Sequence, residues 1–142
     1  MPQETLKRIS TATHHGCIVC GEGNDLGLNL EYRVAGPDMV CADFECGSDF
    51  EGYNGIVHGG IISSILDGAM LHCLFSRGLT AVTVDINVRF RHPLVSNRPA
   101  KVSARIDSRH GVLYFLSADI TQGGRIAASA KARFFYKPQL DQ

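Results

Sequence analysis

The residues best suited to chemistry lie in one stretch, Tyr53-Asn54-Gly55-Ile56-Val57-His58-Gly59-Gly60-Ile61-Ile62-Ser63-Ser64-Ile65-Leu66-Asp67. After His58-Gly59-Gly60, the apolar residues Ile61, Ile62, Ile65, Leu66, Ala69, Cys73 and Leu74 recur at helical spacing, so the glycines open a helix. The first amides of a helix have no partner within it, and such N–H groups can donate to an oxygen that is gaining negative charge. With no Cβ at Gly59 or Gly60, a substrate carbonyl can approach closely. Asp67 falls on the strip of this helix that holds Gly60, Ser63, Ser64 and Leu71, between apolar residues. An acid there costs free energy unless it is paired, wet or used. Two readings stand: a capping or solvated carboxylate, or a catalytic acid.

Gly59 and Asp67 are eight positions apart, about 12 Å at a rise of roughly 1.5 Å per residue. One helix therefore cannot present its own N-terminus and its own Asp67 to the same carbonyl. If both act, they come from two chains whose helices run antiparallel across a two-fold axis, which makes a homo-oligomer, a dimer at least, the expected state.

The surrounding pattern predicts the elements that position these groups. Leu28, Leu30, Tyr32 and Val34 alternate with polar residues as in a half-buried strand, and Gly36-Pro37-Asp38 reads as a turn. A second strand follows with Val40, Ala42, Phe44 and Cys46 inward, and then a loop from Gly47 to Val57. Gly78 is placed to end the helix. Val82, Val84, Ile86, Val88 and Phe90 alternate without a break until His92-Pro93. Val102, Ala104 and Ile106 mark a fourth strand, with a turn over Asp107–Gly111. Val112, Tyr114, Leu116, Ala118 and Ile120 mark a fifth, and Gln122-Gly123-Gly124 signals a hairpin. The sixth carries Ile126, Ala128, Ala130, Ala132 and Phe134.

The order β-β-α-β-β-β-β predicts an α+β fold: a six-stranded, mostly antiparallel sheet wrapped around one long apolar helix. Residues 1–142 read as a single domain, of which 1–24 form an irregular N-terminal segment. The long Ala81–Arg91 strand is a candidate to pair with its mate across the two-fold axis.

Lys+Arg and Asp+Glu each total 14, so no net field exists to gather nucleic acid or an anionic membrane, and neither is expected as a partner. The longest apolar stretch, Ile61–Phe75, is interrupted by Asp67, Gly68 and His72 and is too short to span a bilayer. Met1–Ser10 lacks the apolar core of an export signal, and the five cysteines read as reduced thiols, so a cytoplasmic location is expected.

The run H-G-G-x-x-x-x-x-x-D from His58 to Asp67, T-V-D-I-N-V-R-F-R-H-P from Thr83 to Pro93, and the C-x-V-C-G…N…G-L-x-L segment beginning at Cys17 resemble the hotdog-fold acyl-CoA thioesterases, specifically the PaaI-like branch. The resemblance covers about Cys17 to Tyr136 and implies hydrolysis of an acyl-CoA to free acid and CoA. It implies Asp67 as general base or nucleophile, Gly59 as donor of the N–H that polarises the thioester carbonyl, and His58 lining the site. Thr83 matches a Ser/Thr that positions the lytic water or the acid. A thioester has a good leaving group, so positioned water, one base and an oxyanion donor suffice. No metal and no cofactor is expected, CoA entering as part of the substrate.

Many members of that family carry Asn or Gln six positions before the histidine, where this chain has Gly52. Asn54 is a nearby amide, and it also stands in Asn-Gly, a turn former. Gly60, Ser63 and Ser64 are candidates to line the substrate, and Arg91 and Arg98 to meet the CoA phosphates. Arg89, Lys101, Lys131 and Arg133 read as a solvated face. The rival readings are a non-catalytic acyl-CoA sensor, which Asp67 argues against, and a hydratase or dehydratase, whose Asp and His close together in the loop before the helix are absent here.

Other chemistry-bearing residues fit quieter roles. His14, His15, Cys17 and Cys20 have C-x-x-C spacing with histidines nearby, but zinc needs four ligands and only a second histidine completes the set, so the segment is expected to pack over the body. Ser63 and Ser64 are not in a G-x-S-x-G elbow, and Cys73 reads as a buried small apolar residue. His72 does not face Asp67 on a helix, and His92 before Pro93 reads as structural.

Overall fold

The computed structural model describes residues 1–141. Its elements are α1 (Pro2–Thr13), β1 (Arg33–Gly36), β2 (Met39–Phe44), α2 (Gly59–Phe75), β3 (Ala81–Phe90), β4 (Ala100–His110), β5 (Leu113–Gln122) and β6 (Arg125–Tyr136), with short 3-10 turns at Ser48–Phe50 and Pro138–Leu140. The strands form one sheet in the order β1-β2-β4-β5-β6-β3, and every neighbouring pair is antiparallel.

The apolar face of α2 lies on this sheet, with Ile65, Leu66, Ala69, Met70, Cys73 and Leu74 fully buried. Beneath it β6 offers Ala128, Ala130 and Ala132, small enough to let the helix come close, and Phe134 fills the space beyond them. Around Gly78 (φ +78°) the helix ends with two return bonds, from the Leu79 N–H to the Leu74 carbonyl (3.0 Å) and from the Gly78 N–H to the Phe75 carbonyl (2.9 Å). Among the described residues, no helix is long and apolar enough to cross a membrane.

Four expectations are corrected. Residues 2–13 are not irregular but helical: Pro2 sits in the first turn, and Leu6 and Ile9, one turn apart, are buried against the body. The first strand begins at Arg33, because Asn29 has φ +51° and interrupts the extended chain. The segment before it is held instead by Ile18 and Val19, whose carbonyls accept from the Leu28 and Leu30 N–H groups at 2.7 and 2.8 Å. β4 runs through the expected turn at Asp107 to His110, with a bulge between Ile106 and Ser108 that absorbs the polar residue. Val112, expected to open the fifth strand, lies in the turn before β5 and is exposed, and Ile126 is exposed beside a bulge in the β5–β6 pairing.

The irregularity that matters most is in β3. Thr83 pairs with Phe134, Asp85 with Arg133 and Ile86 with Ala132, so Val84 is one residue too many. The bulge resets the alternation: Thr83 and Ile86 lie opposite the inward Phe134 and Ala132, while Asp85 forms an outward ion pair with Arg133. β3 is also an edge strand, hydrogen-bonded to β6 on one side only, with Val82, Val84 and Phe90 exposed at 40%, 48% and 55%.

Candidate active site

The start of α2 is prepared by the loop in front of it. Tyr53-Asn54-Gly55-Ile56 closes a turn, with the Ile56 N–H donating to the Tyr53 carbonyl (3.0 Å) and Gly55 at φ +79°. The Val57 N–H then donates to the Leu94 carbonyl and the His58 N–H to the Phe50 carbonyl, both at 2.9 Å, which fixes where the helix begins.

His58 is the N-cap. Its Nδ1 accepts from the Gly60 N–H at 2.8 Å, and its carbonyl accepts from Ile61 and Ile62 at 3.0 and 3.1 Å. Of the first four helical amides only that of Gly59 has no acceptor among the described residues. The positive end of α2 therefore presents one open donor. A Cβ on Gly59 would stand 3.5 Å from the ring of Phe90, so that ring walls the approach. Phe90 is absent from the residues that sequence reasoning selected, since it read only as the last apolar residue of a strand. Gly52 backs the His58 ring, and a Cβ there would come within 3.3 Å of His58 Cδ2.

Two turns further on, Asp67 is half-buried and accepts a 2.5 Å hydrogen bond from the Thr83 hydroxyl at Oδ1. No Lys, Arg or His forms an ion pair with it among the described residues. Burial pushes its pKa above the usual carboxylate range, and the Thr83 hydrogen bond pulls partly the other way. Behind Asp67, the Tyr32 hydroxyl donates to the Ile65 carbonyl (3.0 Å) within the space left by Gly68. His72, beneath the same turn, has Nδ1 on the Gly68 carbonyl at 2.7 Å and Nε2 3.3 Å from the Ser10 hydroxyl. Burial holds this imidazole down at about 4, so it is neutral and donates from Nδ1.

The remaining candidates fall into three groups. Ser63 and Ser64 donate their hydroxyl protons back to the Gly59 and Gly60 carbonyls (3.0 and 2.8 Å), leaving lone pairs to offer. Asn54 sits exposed in the turn, and its side chain makes no hydrogen bond among the described residues. Arg91 and Arg98 are exposed in separate depressions. Arg91 reaches Ser129 (3.3 Å) on the face away from α2, near Arg89, Arg105 and Lys131, and Arg98 shares a rim with His92 and Arg125. The helix thus carries a half-buried carboxylate at one end of this stretch and, among the described residues, a single open backbone donor at the other.

The thioesterase superfamily model matches residues 54–128, more than half of the chain and including His58, Gly59, Asp67 and Thr83. The chain belongs to this superfamily. It is 31% identical over 98 residues to the acyl-coenzyme A thioesterase THEM4 of Rattus norvegicus, an alignment covering 66% of this chain and 42% of that protein. The match thus spans about two-fifths of the length of that curated relative. Its fold is similar to that of zebra fish thioesterase superfamily member 2 (TM-score 0.75, 19% identity, 93% and 97% of the two chains). It is also similar to a Streptococcus mutans protein whose structure holds acetyl CoA (TM-score 0.71, 19% identity, 77% and 89%). The six-stranded antiparallel sheet with its central helix is the hotdog fold of these thioesterases.

Proposed function

We propose that this superfamily member, of the PaaI-like type, is a cytoplasmic enzyme that hydrolyses an acyl-CoA thioester to free acid and CoA in a site shared by two copies of the chain. The observation that carries this reading is Asp67: a half-buried carboxylate with a raised pKa, held by one hydroxyl and, among the described residues, by no cation. It lies on the same helix as the open Gly59 amide, and α2 is unbroken between them, so about 12 Å separates the two within one chain. The free edge of β3, with its exposed apolar side chains, is where a second copy would bring its own helix N-terminus to Asp67.

In this reaction Asp67 takes a proton from water as the water oxygen bonds to the thioester carbon, or Asp67 itself forms that bond and water later cleaves the resulting anhydride. The carbonyl oxygen becomes an oxyanion against the Gly59 N–H of the other chain. Collapse breaks the carbon–sulfur bond and expels the CoA thiolate, and the proton released by the water restores the thiol. Thr83 fixes the carboxylate. His58 and Phe90 shape the donor end, and Gly60, Ser63, Ser64 and Asn54 border it. Arg91 and Arg98 are the cations for the CoA phosphates. The chemistry calls on no metal.

The decisive experiment is thiol release from a panel of aromatic and C4 to C16 acyl-CoAs, with Asp67→Ala alongside. Loss of about a hundredfold or more in the variant supports the base role. Mixing Asp67→Ala with Gly59→Val tests the shared site, because random heterodimers restore one intact site in half the dimers, about a quarter of wild-type activity. Recovery of nothing, from variants that still dimerise, overturns the shared site. Binding of CoA esters without any thiol release makes the non-catalytic sensor the better reading.

A further inference from the structure

Cys17-Ile18-Val19-Cys20-Gly21 folds into a tight knuckle built around sulfur. The Val19 N–H donates to Cys17 Sγ (3.3 Å), and the Gly21 N–H donates to the Cys17 carbonyl (2.9 Å). Gly21 is required there, since a Cβ would lie 2.4 Å from the Cys17 nitrogen and from the His15 carbonyl oxygen. His14 is delivered to the knuckle by the end of α1. Its N–H donates to the Ser10 carbonyl (2.8 Å), and its own carbonyl accepts from the Cys17 N–H (3.0 Å). One ligand atom from each of His14, Cys17 and Cys20 lies within 4.8 Å of the others, in a half-buried setting. His15 stands outside the group, its ring against Gly23.

We propose that His14, Cys17 and Cys20 bind a zinc ion through one imidazole nitrogen and two thiolates, with the fourth position open to water. Zinc bonds of about 2.3 Å to sulfur and about 2.0 Å to nitrogen put neighbouring tetrahedral ligands roughly 3.5–3.8 Å apart. His14 Nδ1 is already 3.7 Å from Cys20 Sγ. Two thiolates and an imidazole suit zinc and exclude the oxygen-seeking Mg2+ and Ca2+. The amide aimed at Cys17 Sγ is the outer-shell support that a bound thiolate needs. On the open side lies a cavity of about 110 Å³ lined by Ser10, His14, Cys20 and His72. The Ser10 hydroxyl there stands 3.9 Å from Cys20 Sγ, within reach of a metal-bound water.

The expectation of a merely packed segment rested on the missing fourth protein ligand, and a site with three protein ligands removes that requirement. The metal would fasten the end of α1 to the knuckle, and through it hold Val19 on Gly68, the residue after Asp67. The site stands independently of the catalytic reading, because its test reads metal and not turnover.

The test uses the full chain, chelator-treated and reduced, titrated with Co2+ and then Zn2+. The expected result is about one equivalent bound, with thiolate-to-cobalt charge-transfer absorption and tetrahedral visible bands that Zn2+ bleaches. Cys17→Ser, Cys20→Ser and His14→Ala should each weaken binding by about a hundredfold or more, while His15→Ala leaves it unchanged. Should the cysteine variants fail to fold, Zn2+ must still protect Cys17 and Cys20 of the wild type from alkylation, as mapped by peptide mass spectrometry. Absence of the charge-transfer band, its survival in both cysteine variants, or equal alkylation with and without Zn2+ overturns the site.

Discussion

Thr83 and Asp67, sixteen positions apart in the chain, are joined by a 2.5 Å hydrogen bond that exists because β3 carries one residue too many. The Val84 bulge lets Thr83 face the helix together with Ile86 while Asp85 turns outward to Arg133. The hydroxyl donates to the carboxylate and so favours its charged form, against the burial that disfavours it.

Removing that donor therefore raises the Asp67 pKa further. In Thr83→Ala the acid limb of kcat/KM moves to higher pH, and Thr83→Ser restores it. At a pH on the wild-type limb the alanine variant loses roughly tenfold, the scale of a hydrogen bond to a charged group. The loss narrows on the alkaline plateau. A loss that is equal at every pH would mean that Thr83 does not act on the ionisation of Asp67.

Asp67 also links stability to pH. A carboxyl whose folded pKa lies above its unfolded value favours the fold while protonated, and that contribution is lost as pH rises through the folded pKa. Asp67→Asn keeps the shape without the charge. Its melting temperature should gain on wild type as pH climbs from about 4 to about 7. A difference that is flat over this range would mean the carboxylate is not strained by burial.

Gly68→Ala sets helix propensity against packing. Alanine gains about 1 kcal/mol over glycine within a helix. Its Cβ, however, would meet the buried Tyr32 hydroxyl at 2.8 Å and Val19 Cγ1 at 3.0 Å, an overpacking that costs about 1–3 kcal/mol. The hydroxyl is pinned to the Ile65 carbonyl and cannot give way cheaply, so a net loss of stability is expected in urea titration. In the Tyr32→Phe background the same substitution should be close to neutral. An equal cost in both backgrounds would place the obstruction elsewhere.

His58→Ala removes the cap of α2 and should cost about 1 kcal/mol, whereas His58→Asn, which can also accept from a helix amide, should recover most of it. Denaturant midpoints of the three proteins decide this. Equal midpoints would show that the Gly60 amide does not depend on its imidazole acceptor.

Much of the fold was legible because burial writes its period into the chain. α2 and the strands from β2 to β6 follow from apolar spacing, whereas β1 does not, because Asn29 breaks the extended run, and the continuity of α2 preserves the separation of Gly59 from Asp67. The bulge was not legible, because the extra residue is itself apolar: Val82, Val84 and Ile86 read as one face although the chain turns over between them. α1 was missed because only Leu6 and Ile9 are buried, too few to show a period. Thr83 could be set beside Asp67 only through the family resemblance, and Phe90 could not be named at all, since its approach to Gly59 joins a strand end to a helix start.

By capping Gly60, His58 leaves the start of the helix with a single free amide, at Gly59, among the described residues. A carboxylate has two oxygens and is held best by two donors side by side. In the proposed reaction the thioester presents one oxygen to that amide, and the acid that replaces it finds no second donor there. On that proposal the site lets its product go, and turnover should slow little as free acid accumulates.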